Sequence, residues 1–108
     1  MARPAPSDLQ PPAIPEDRRC RLCERPSHLT FHHLVPKQMH GKRPVRQRYS
    51  EQALRHHGIW ICRQCHDFVH ATFDPRTLAT QLDSLEALRL EPAVIRHVAW
   101  ASKQRRRV

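Results

Sequence analysis

No apolar run in this 108-residue sequence approaches the length of a membrane-spanning helix. The opening residues, Met1-Ala2-Arg3-Pro4-Ala5-Pro6, lack the apolar centre of a secretory signal peptide. Acidic residues are scarce, with 10 Asp and Glu against 19 Lys and Arg. Beyond one duplicated cysteine pair there is no internal repeat. These absences exclude a helical membrane span, offer no membrane partner and argue against export. The expected compartment is a reducing cytoplasm, where the 4 cysteines stay as thiols and a thiolate metal site displaces disulfides as the default. The shortage of acids leaves a formal charge of +9, which favours a polyanionic partner.

What is present divides along the chain. Residues 1–17 hold five prolines, Pro4, Pro6, Pro11, Pro12 and Pro15, and read as a flexible or polyproline-like arm. Residues 103–108, with Lys103, Arg105, Arg106 and Arg107, form a basic tail. Roughly 85 residues remain, a size at which a bound metal often supplements a small core.

Within them, residues 29–35 are β-branched and aromatic and stop at Pro36, as a strand ending in a turn does. Residues 37–56 are a basic connection punctuated by Gly41 and Pro44, with Ser50 placed to cap a short helical turn through Leu54. A second strand is expected over 58–61 and a helix over 63–71, with Phe68 and Val69 toward the core. Asp74-Pro75 and Glu91-Pro92 each look like a helix start. Leu78, Leu82, Leu85 and Leu88 recur at helical spacing after the first; Val94, Ile95, Val98 and Trp100 follow the second. The expected fold is α+β: a small two-strand and helix core with two C-terminal helices over 74–102 packed on it.

Cys20-x-x-Cys23 and Cys62-x-x-Cys65 each offer two sulfurs, together the tetrahedral set that zinc prefers. A shared structural zinc would tie the N-terminal knuckle to the start of the later helix and close the segment between them. Cys62-Arg63-Gln64-Cys65-His66 also matches a covalent haem pattern. That chemistry goes with export and would leave Cys20 and Cys23 without a partner.

His66 and His70 stand four apart, so on a helix they share a face and can bind one ion. His32 and His33 lie at the expected strand end, and the intervening stretch is basic, as a phosphate-binding surface should be. The set His32-His33-Leu34-Val35-Pro36, His57 and Cys62-Arg63-Gln64-Cys65-His66-Asp67-Phe68-Val69-His70 resembles the HNH endonuclease family. The likeness is to its zinc-stapled branch, in which two Cys-x-x-Cys pairs support a ββα-metal core, and it extends over about residues 20–73 of an expected nuclease core at 18–73.

The resemblance implies that His32, His66 and His70 bind a catalytic divalent ion and that His33 is the general base. His57 occupies the place where the family usually carries Asn, orienting the base; His56 is its neighbour if the register slips by one. It further implies hydrolysis of DNA, RNA being compatible, to 3′-hydroxyl and 5′-phosphate ends. Three imidazoles suit Zn²⁺, Mn²⁺ or Ni²⁺ better than Mg²⁺. Arg43, Arg46 and Arg48 are the expected phosphate contacts. Two readings of other classes stand beside this one. One is a non-catalytic zinc-dependent nucleic-acid-binding module; the other is a structural zinc protein whose last helices bind another protein.

Overall fold

In the computed structural model, which describes residues 12–104, strands β1 (Leu29–His33) and β2 (Gly58–Cys62) pair antiparallel. Leu29 lies opposite Cys62, and His33 opposite Gly58. Between the strands the chain makes a 3-10 turn (Lys37–Met39) and two short helices, α1 (Arg43–Arg48) and α2 (Glu51–His56). Helix α3 (Arg63–Thr72) leaves β2 directly and packs against both strands. Three more helices follow: α4 (Pro75–Thr80), α5 (Leu85–Leu90) and α6 (Pro92–Ala101). The fold is therefore α+β, with a two-stranded sheet and six α-helices among the described residues.

The alternation of a strand sends neighbouring side chains to opposite faces. Thr30 and His32 share one face with their partners Ile61 and Ile59, and both isoleucines are buried. Phe31 and His33 share the other, where Phe31 meets Trp60 edge to face at 5.2 Å. Gly58 is required by close approach. A Cβ there would sit 2.4 Å from the His32 carbonyl oxygen and 2.4 Å from the Phe31 ring.

Cys62 is the N-cap of α3, its Sγ accepting from the Cys65 N–H at 3.4 Å. Cys65 and Val69, one turn apart, are fully buried on the inner face of that helix. Phe68 is instead half-buried and stacks on His97 of α6 at 4.1 Å. The main core gathers the four cysteines, Ile61, Val69, Leu78, Leu88 and Val94. Fully burying a leucine such as Leu78 or Leu88 contributes about 2 kcal/mol. A second, smaller core of Val35, Val45, Leu54 and Ala79 lies under α1 and α2.

The structure departs from the sequence reading in four places. β1 ends at His33, after which Leu34 turns into the main core and Val35 into the second. The basic connection contains α1, which Pro44 opens from its first turn, a position where proline fits a helix. The leucine series is split between two helices, so the C-terminal region holds three helices and not two. Asp83 is drawn toward α1 and α2, and Ser84 caps a new helix by accepting from the Ala87 N–H at 3.0 Å. Lastly, part of the expected arm is attached: the Trp60 indole N–H donates to the Pro12 carbonyl at 2.7 Å. Residues 1–11 and the tail arginines Arg105, Arg106 and Arg107 lie outside the described residues. No helix among those described is long and apolar enough to cross a membrane.

Candidate metal centre and active site

The register that pairs β1 with β2 brings the two cysteine knuckles together. All four sulfurs lie within 4.8 Å of one another, every one buried. Cys23 Sγ and Cys62 Sγ are 3.9 Å apart, close to the roughly 3.8 Å edge of a tetrahedron with zinc–sulfur bonds of about 2.3 Å. Backbone donors already point at the sulfurs: the Leu22 and Cys23 N–H groups reach Cys20 Sγ, each at 3.4 Å. Glu24 closes that knuckle with φ 65°, its N–H bonded to the Cys20 carbonyl at 2.9 Å.

No disulfide joins the four. Hydrogen bonding from Cys20 and then Cys62 holds the Cys23 thiol far below the usual range, while Cys20 and Cys23 push Cys65 far above it. Four thiolates cannot coexist at this spacing without a cation, and a divalent ion removes the obstacle. The cluster is thus suited to a structural metal such as zinc.

One residue beyond Cys65, α3 turns to a second group. His32, His66 and His70 present ligand atoms that also lie within 4.8 Å of one another. Their ring centroids are 5.2 Å apart for His32–His66 and for His32–His70, and 4.9 Å for His66–His70. His32 is 0% exposed, and neither ring nitrogen has a protein partner. A buried imidazole left so is costly unless something else satisfies it. Burial, with the neighbouring histidines, pushes its pKa down to about 3, so the ring is neutral and keeps a lone pair to offer. His66 is lowered by burial and then by His70. Its Nδ1 lies 2.8 Å from the Thr30 hydroxyl. The donor set, three imidazoles with two on one helix face, fits a borderline divalent ion.

His33 points to the other side of the sheet edge, into a cleft of about 310 Å³ that it lines with His66, His70, Lys37 and Gln38. Burial, then Lys37 and His40, lower its pKa, and a hydrogen bond to the Arg55 backbone works against them. Its ring neighbours are Phe31 at 5.0 Å and His40 at 6.3 Å.

His57, expected beside His33, is turned elsewhere. Its Nε2–H donates to the Asp83 carbonyl at 2.6 Å, and its ring lies 5.3 Å from that of Tyr49. The cause is local: His57 is the C-cap of α2, and Asp83 already gathers Arg48 at 2.8 Å and the Tyr49 hydroxyl. His56 lies in the last turn of α2 with its Nδ1 unpartnered.

The three arginines of α1 also separate. Arg48 pairs with Asp83, so its charge is partly committed to the fold. Arg43 lines a cavity with Lys42 and Arg76 that meets the histidine cleft at Gln38 and Pro75. Arg46 lines another with His40 and Arg55. Sequence reading missed Thr30, which looked only like a strand former. It also missed His40, whose Nε2–H donates to the Val35 carbonyl at 2.8 Å. The histidine spacing around β1 was the signal available for His40; nothing local marked Thr30.

No family model matches this chain, and no solved structure matches it significantly. It is similar to the uncharacterized protein YisB of Bacillus subtilis (strain 168), 34% identical over 86 residues, which span 79% of this chain and 74% of YisB. At that identity and coverage the chain belongs to the family of YisB.

Proposed function

We propose that this protein is an HNH-type, metal-dependent endonuclease that hydrolyses DNA phosphodiester bonds, stabilised by a structural zinc on Cys20, Cys23, Cys62 and Cys65. The observation that carries the reading is His32: a buried, neutral imidazole with no protein partner, facing two helical histidines beside a cleft that holds a fourth. His32, His66 and His70 would hold the divalent ion. When bound, that ion supplies positive charge for a phosphate oxygen and for the leaving 3′ oxygen.

The protein's own groups do the rest. His33, kept in its neutral form by burial and by Lys37, takes a proton from the attacking water. The His33 ring packs edge-on against Phe31 at 5.0 Å, and His57, expected by resemblance to orient it, bonds instead to the Asp83 carbonyl. The water oxygen bonds to phosphorus, the bond from phosphorus to the 3′ oxygen breaks, and that oxygen regains a proton from solvent. Lys37, Lys42, Arg43 and Arg76 line the cleft and the cavity that joins it; they would hold flanking phosphates without reading sequence.

Plasmid relaxation with Mg²⁺, Mn²⁺, Ni²⁺ or Zn²⁺ tests this. Wild type should convert supercoiled DNA to nicked or linear forms. His33→Ala should lose at least about a hundredfold in rate while keeping its melting temperature and its salt-dependent DNA binding. Intact plasmid with every ion, alongside salt-dependent binding, would leave a non-catalytic nucleic-acid-binding module.

A further inference from the structure

Thr30 Oγ1 lies 3.0 Å from the Ile61 carbonyl oxygen and 2.8 Å from His66 Nδ1. A threonine hydroxyl carries one proton, and a carbonyl oxygen accepts only. The proton is therefore spent on Ile61, and the hydroxyl can only accept from His66. That requires the His66 proton to sit on Nδ1, leaving the lone pair on Nε2. His32 and Thr30 stand two apart on the same strand face, so the hydroxyl that fixes His66 shares that face with the buried ligand.

We infer that Thr30 is a positioning residue that locks His66 in the tautomer whose Nε2 is offered to the metal. The inference rests on the metal-site reading above. The link is also mechanical. Thr30 and Ile61 are partners across the sheet, and Ile61 precedes Cys62, the cap of α3. The strand register set at the cysteine cluster is thus carried to the histidine cluster through one hydroxyl. His32, the buried ligand on the same strand face, has no such tie, since neither of its ring nitrogens has a protein partner.

The tautomer can be read directly. Long-range proton–nitrogen correlation spectra are recorded on ¹⁵N-labelled protein with zinc on the cysteines and the histidine site stripped by chelator. His66 should carry its proton on Nδ1. Thr30→Val should release it to the Nε2–H or a mixed form and weaken Ni²⁺ binding at the histidine site by about ten- to a hundredfold. Thr30→Ser should preserve both. A wild-type His66 protonated on Nε2 overturns the inference, and needs no variant to fold. So does a Thr30→Val protein whose tautomer and Ni²⁺ affinity both match wild type. Absence of Ni²⁺ binding in wild type would instead strike the metal-site reading, because the tautomer is measured without that ion.

Discussion

Single atoms divide the histidines into different tasks. His32 is a buried base with nothing to bond, His66 is tethered through Thr30, and His33 faces the cleft. His57 is held by the Asp83 carbonyl. His57→Ala should therefore lower the melting temperature, at about 1 kcal/mol for the lost hydrogen bond, and leave the cleavage rate of folded protein within a few fold. A hundredfold rate loss in a variant of unchanged stability would return His57 to the active site. Tyr49 offers a cleaner reading because it is the sole tyrosine of the chain. Burial, with the Asp83 hydrogen bond, raises its pKa to about 12. A folded-state value above the unfolded one, about 10, means that its stabilisation is complete below pH 10 and fades as pH rises through 12. Absorbance titration at the phenolate band should give a midpoint near 12 in native protein, and Asp83→Asn should move it down. A native midpoint near 10 would remove the packed environment described for Tyr49.

Elements explain what sequence revealed and what it hid. The strand–helix–cysteine plan was legible because its signals are local: alternation in residues 29–33, a Cys-x-x-Cys at a helix start, and Asp74-Pro75 with a cap that does accept from Thr77 at 2.7 Å. The three-helix C-terminus was hidden because Leu78, Leu82, Leu85 and Leu88 keep a helical spacing across the break. The break is set by Asp83, whose partners lie on α1 and at the end of α2, far off in sequence. The same holds for His57, placed by a tertiary contact that no spacing encodes. Two substitutions test this level. Ser84→Ala should cost about 1 kcal/mol by removing the α5 cap, seen in the denaturation midpoint. Gly58→Ala should cost about 2 kcal/mol or more, since the added Cβ meets backbone at 2.4 Å; tolerance of alanine there would contradict the close strand approach beside His32 and His33.

At the scale of the molecule, α3 is the shared part. It begins on the cysteine cluster, buries Cys65 and Val69, and turns His66 and His70 toward His32. A small core stapled by metal takes much of its folding free energy from that metal, about 10 kcal/mol or more in zinc-finger peptides. Removal of the cysteine-bound ion should thus unfold the chain and abolish the histidine site with it, whereas His66→Ala should remove only the second ion. The most direct measurement is metal content by mass spectrometry, taken with circular dichroism before and after graded chelation. Two ions per chain are expected, the first lost without unfolding and absent from His66→Ala, the second lost only as helicity collapses. One ion per chain, lost on substitution of either a cysteine or a histidine, would contradict the division into a structural centre and a working one.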